Sequence, residues 1–282
     1  MRKKDGYVEA FLYLISFIAI QLVVTYVVFL GWHLINGKRI QDIMSALGSG
    51  NIALPVRMII VIQVVFSILV MALFLWRRWC VVSRSYLQSK PWAVLAWASV
   101  AALGTLIPSE VFEELVPLPD TSGGTLAGVM SSRWGYLAIC IFAPVVEELV
   151  FRGAVLRALL NACRYHWVAI TLSALAFAIV HANPAQMPHA FLMGLMLGWM
   201  YYRTKSVIPG IMVHWVNNTV AYAVYNILPQ ADDVRLVDLW GEDPMRIGLA
   251  VAFSIIIIIP ALLQLHLRMR PAPETPGDNY NP

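Results

Sequence analysis

The sequence predicts an all-α fold, a polytopic transmembrane helical bundle of about eight spans, and three observations predict it. Of 282 residues, 60% are hydrophobic and 13% charged, against roughly 45–50% and 25% in a soluble domain. Mean hydropathy is +0.71, and the apolar residues are gathered into repeated runs of the length that lipid or other helices must cover. Basic residues stand at the edges of those runs rather than on one face. A soluble globule is excluded.

In chain order the apolar runs place spans at 9–31, 56–76, 92–108, 135–160, 166–182, 188–202, 207–228 and 247–267. The third, fifth and sixth are short, so tilt or cover by neighbouring helices is expected there. The first run follows Met1-Arg2-Lys3-Lys4 as a signal peptide would, yet it is too long for a signal core and Gly31-Trp32-His33-Leu34 offers no small-x-small cleavage site. It reads as a retained helix. Gly194 and Gly198, with Ala190 one turn earlier, form a small-residue face on the sixth span for close helix approach. The segment 270–282, rich in proline and polar residues, reads as a disordered tail.

Charge orients the bundle. With the N-terminus inside, thirteen Lys and Arg fall on the cytoplasmic side and six on the other, so both termini are expected in the cytoplasm. The formal net charge of +4 follows from these flanking residues, and no nucleic-acid partner is indicated. Cys80, Cys140 and Cys163 show neither CxxC nor zinc spacing to histidine, and read as small buried residues.

Polar residues inside apolar runs mark function, because an unpaired carboxylate at that depth costs several kcal/mol. Glu147 and Glu148 lie within Ile139-Cys-Ile-Phe-Ala-Pro-Val-Val-Glu-Glu-Leu-Val-Phe151. Arg152 follows Glu148 by four residues and can pair with it, while Glu147 points about 100° away. One glutamate therefore reads as structural and the other as free. Pro144, three residues before Glu147, removes a backbone hydrogen bond and opens room or frees a carbonyl beside the pair. His181 closes Phe177-Ala-Ile-Val-His181, and His214 shares a helix face with Asn218. Helical rise puts all four of Glu147, His181, His214 and Asn218 at roughly 10–23 Å from the inner surface, so they can meet. His33, His166, His189 and His266 lie near span ends and read as interfacial. Glu113-Glu114-Leu-Val-Pro117 repeats the Glu-Glu-Leu-Val string but has Leu118 where the arginine would stand, and reads as part of an outside loop.

Glu147-Glu148-Leu-Val-Phe-Arg152, Phe177-Ala-Ile-Val-His181 and His214-Trp-Val-Asn-Asn218 resemble the EExxxR, FxxxH and HxxxN motifs of the CPBP intramembrane proteases, which include CAAX prenyl endopeptidases, bacterial Abi proteins and bacteriocin-linked enzymes. The resemblance covers roughly residues 135–226. It implies a water-accessible cavity in an all-helical membrane fold, Glu147 as the base that activates water, His181 holding that water, and His214 with Asn218 stabilising the oxyanion. Glu148 and Arg152 would organise the site. A divalent metal such as zinc is the other chemistry it leaves open, with Glu147, His181 and His214 as candidate ligands. The lack of HExxH and the poor affinity of an asparagine for zinc favour the metal-free form.

The reading is thus an intramembrane endopeptidase acting on a peptide or protein substrate at the lipid bilayer. The alternatives are a non-catalytic binding or bacteriocin-immunity member of the same family, or a proton-coupled transporter, against which the lack of inverted halves counts. Residues 1–130 form N-terminal transmembrane helices, 131–228 the protease-like core, and 229–282 an outside loop, a last span and the tail.

Overall fold

A computed structural model describes residues 5–49, 54–80, 82, 84–122, 124–228 and 243–271. Among the described residues every regular element is helical. Six come first: α1 (Asp5–Ile35), α2 (Ile40–Ser49), α3 (Val56–Trp76), α4 (Arg84–Gln88), α5 (Trp92–Leu115) and α6 (Thr125–Met130). The rod α7 joins four abutting segments, Tyr136–Phe142, Ala143–Glu147, Glu148–Leu156 and Arg157–Ala162. Then follow α8 (His166–Val180), α9 (Met187–Thr204), α10 (Ile208–Ile227) and α11 (Pro244–Arg268).

A helix or helical rod stands at each of the eight expected positions, and the chain folds as a transmembrane helical bundle. Four helices among the described residues, α1, α3, α5 and α11, are long and apolar enough to cross a membrane. The other four rods are shorter or carry polar groups, which they turn toward one another. The expected acidic outside loop and the C-terminal tail lie outside the described residues, apart from Asp243, Arg270 and Pro271.

Burial follows helical periodicity. On α3 the buried residues include Met58, Ile62, Phe66, Val70 and Phe74, four apart, which form one stripe against the interior. A relay of edge-to-face rings carries this core toward α8: Phe17 meets Phe66 and Phe151 at 5.0 and 5.4 Å, and Phe151 meets Phe177 at 5.2 Å. The small-residue face on α9 packs as expected. A Cβ on Gly194 would stand 2.9 Å from Cβ of Ala174, and one on Gly198 equally close to Ile170, so α8 and α9 touch backbone to backbone.

Two departures from expectation matter. The third expected span, α5, does not stop at 108. It continues through Pro108 to Leu115 and carries Glu110, Glu113 and Glu114, so the Glu113-Glu114 string is helical rather than part of a loop. One proline forfeits a single ladder bond, and that loss leaves the rest of the turn intact. The helix ends instead at Val116, whose φ of −121° and ψ of 74° are non-helical, immediately before Pro117.

The second departure is in α7, where segments Tyr136–Phe142 and Glu148–Leu156 are π-helical. Such widenings cluster at functional sites. In the first, Ala143 N–H donates to Ala138 O, five residues back. The next donor in that register is Pro144, which has no N–H. Ile139 O is left for another partner, the freed carbonyl that Pro144 predicted.

Candidate active site

A cavity of about 320 Å³ opens among α3, α5, α6, α7, α9 and α10, and its wall includes Glu147, His181, His214 and Asn218. The four residues singled out by the sequence therefore meet, contributed by α7, the turn after α8, and α10. Glu148 and Arg152 lie behind this wall.

Their roles separate by burial. Glu148 and Arg152 side chains are 0% and 1% exposed, and Arg152 Nη1 donates to Glu148 Oε1 at 2.7 Å. The pair is the internal ion pair expected from the four-residue spacing. Arg152 also donates from Nη2 to Gly194 O at 3.4 Å, and its guanidinium lies 4.3 Å from the centroid of Phe177. Glu148 fits only because α10 begins with glycine at the contact: a Cβ on Gly210 would lie 2.5 Å from Glu148 Oε2.

Glu147 is the freer carboxylate, 19% exposed, with Oε2 buried and without a hydrogen-bond partner. His214 stands between the two acids, Nε2 at 3.8 Å from Glu147 Oε2 and Nδ1 at 3.6 Å from Glu148 Oε1. Both distances exceed a direct hydrogen bond.

His181 is oriented by its own helix. Its Nδ1 donates to Phe177 O at 2.8 Å, so in the neutral ring Nε2 is the acceptor. Phe177 meets His181 edge-on at 4.9 Å and His214 at 5.8 Å. The phenylalanine of the FxxxH string thus holds both imidazoles and the arginine in register.

Asn218 Nδ2 donates to Ile139 O at 3.0 Å, satisfying the carbonyl that Pro144 strands. Its Oδ1 accepts from Asn217 Nδ2 at 3.1 Å. Asn217 is itself buried, with Oδ1 unpartnered, and it lines the cavity.

Sequence reasoning missed Asn217 and two further cavity residues. His189, read as interfacial, lines the wall and meets Ser109 Oγ of α5 through Nδ1. Glu113, read as part of an outside loop, lines it from the last turns of α5. The signal for Glu113 was present: Val111, Phe112 and Leu115 continue a helical pattern past Pro108. The other end-of-span histidines match expectation: His166 stacks on Tyr202 at 4.2 Å, His33 meets Phe29 at 4.4 Å and His266 lies against Trp199. Cys80 and Cys140 are buried and Cys163 is half-buried, all three free thiols.

The three candidate metal ligands do not converge on a common point. Among the described residues no three His, Cys, Asp or Glu side chains are placed to hold a metal ion. His181 and His214 line one cavity with Glu147, but His214 divides its two nitrogens between the two acids.

Comparison with known proteins agrees with the three strings. Residues 129–220 match the family model described as type II CAAX prenyl endopeptidase Rce1-like. The membrane-embedded CAAX protease MroQ of Staphylococcus aureus (strain USA300) is 28% identical over 149 residues, 50% of this chain and 60% of that protein. YdiL of Bacillus subtilis (strain 168), a candidate membrane peptidase, is 28% identical over 95 residues, 34% of this chain and 36% of that one. The alignments thus span about three-fifths and one-third of those relatives. No solved structure matches the chain. Residues 129–220, about a third of the chain, contain all three motifs and are similar to the Rce1-like CAAX proteases.

Proposed function

We propose that this protein is an intramembrane endopeptidase that hydrolyses a peptide bond of a membrane-associated peptide or protein with water activated by Glu147. The observation that carries this reading is the convergence of Glu147, His181, His214 and Asn218, from α7, the turn after α8 and α10, on one cavity wall.

In this reading, water bound between Glu147 Oε2 and His181 Nε2 loses a proton to Glu147 as its oxygen attacks the peptide carbonyl. His181 serves as an acceptor, since its Nδ1 proton is committed to Phe177 O. It positions the water. His214 Nε2 and the second hydrogen of Asn218 Nδ2 donate to the oxyanion, each worth about 10²–10³ in rate by analogy with other oxyanion holes. Glu147 returns its proton to the leaving amine as the C–N bond breaks. Glu148 and Arg152 neutralise each other behind His214 without touching the substrate.

The test is cleavage of a membrane-peptide library by the full-length protein in liposomes. Glu147→Gln is expected to lower the rate at least about a thousandfold while leaving abundance and the unfolding temperature unchanged. Undiminished cleavage eliminates Glu147 as the base. A phenotype that persists in Glu147→Gln and His181→Ala would instead favour a binding or immunity protein.

A further inference from the structure

Away from this site, a cavity of about 430 Å³ lies where the start of α5 meets the end of α11. Lys90, Arg268 and Arg270 line it, and among the described residues its wall contains no aspartate or glutamate. Ala93 and Val94, in the first turn of α5, line it as well. Amides at that position have no intrahelical acceptor, and the helix presents its positive end there.

The position is that of a bilayer surface. Both α5 and α11 are long and apolar enough to cross a membrane, and the cavity sits at one end of each. Trp92, between the lining residues Pro91 and Ala93, is 64% exposed, as expected of an indole at headgroup level. The cationic wall is also held in place. Arg203 Nη2 donates to His266 O at 2.8 Å and to Met269 O at 3.4 Å, fixing the end of α11. Arg268 gives Nε to Gln264 Oε1 at 2.8 Å, which leaves its terminal nitrogens for a ligand.

We infer that this cavity binds the phosphate group of an anionic phospholipid. Arg268 and Arg270 supply the guanidinium forks that suit phosphate oxygens, Lys90 adds a point charge, and the amides of α5 complete the anion site. The acyl chains continue from there along the apolar flanks of α5 and α11. This inference does not depend on the peptidase reading.

The test is native mass spectrometry of the full chain in detergent, with phosphatidylglycerol, phosphatidylcholine or sodium phosphate added. Phosphatidylglycerol is expected to be retained at least about tenfold better than phosphatidylcholine. Arg268→Gln/Arg270→Gln should abolish that preference, and Arg133→Gln, in the turn before α7, should preserve it. If the double variant does not fold, Arg268→Lys/Arg270→Lys and the wild-type lipid competition decide. Equal retention of the two lipids, or an unchanged preference in the Gln variant, overturns the site. Displacement of the lipid by millimolar phosphate overturns the lipid as its occupant.

Discussion

Asn218 Nδ2 donates to Ile139 O, a carbonyl that the π register of α7 assigns to Pro144 and that proline cannot serve. The asparagine of the third motif therefore bonds to the helix of the first. Two sequence features 74 residues apart, a helix-breaking proline and a half-buried amide, meet at one hydrogen bond.

Asn218→Ala should therefore destabilise the protein by about 1 kcal/mol, since it leaves the half-buried Ile139 carbonyl without its partner. In a Pro144→Ala background a backbone N–H is restored to compete for Ile139, and the same substitution should cost markedly less. Thermal unfolding of the four proteins in detergent measures this coupling. Additive effects would show that the two residues do not share the carbonyl.

Arg152 and Glu148 should behave as a unit. Removing the arginine leaves a carboxylate that is 0% exposed without its partner, and Arg152→Gln is expected to cost about 3–5 kcal/mol. Glu148→Gln/Arg152→Gln removes both charges and should recover part of that loss. Membrane abundance and unfolding temperature of the single and double variants provide the measurement. A double variant less stable than Arg152→Gln alone would refute the pairing argument.

His189 should matter to turnover and His166 should not. His189 lines the cavity and is held by Ser109, whereas His166 stacks outside it on Tyr202. On the peptidase reading, His189→Ala lowers the cleavage rate about 10- to 100-fold, a modest share of what a positioned proton-transfer or hydrogen-bonding group contributes. His166→Ala leaves it within twofold. Single-turnover rates on the same peptide distinguish the two.

One pH-dependent contact lies outside the helices. The backbone N–H and hydroxyl of Ser122, then the Asn183 amide, hold the Asp120 carboxyl below its ordinary value. Thr121 N–H donates to Asn183 Oδ1 at 3.2 Å and its hydroxyl to Ala182 O at 3.1 Å, tying this segment to the turn beside His181. A depressed folded value stabilises the contact above the unfolded value near pH 4 and loses that stabilisation as pH falls through the folded one. Amide exchange at Thr121 should be pH-insensitive from 8 to 5, after correction for the intrinsic rate, and accelerate below about 4. Asp120→Asn should remove the acid step.

The positions of the eight long helical segments and the four central candidate residues were legible in the sequence because each is a local or compositional property. Apolar run length fixes where a membrane helix can stand, a four-residue spacing fixes that Glu148 and Arg152 face each other, and burial cost alone marks a glutamate in an apolar run. What only the tertiary structure decided is which groups share a space. His189 and Glu113 occur in unremarkable local contexts and become cavity residues because α5 continues past Pro108 and packs beside α9 and α10. The widening of α7 was equally invisible: a π turn is set by the neighbour that satisfies its stranded carbonyl, and Asn218, seventy-nine residues later, is that neighbour.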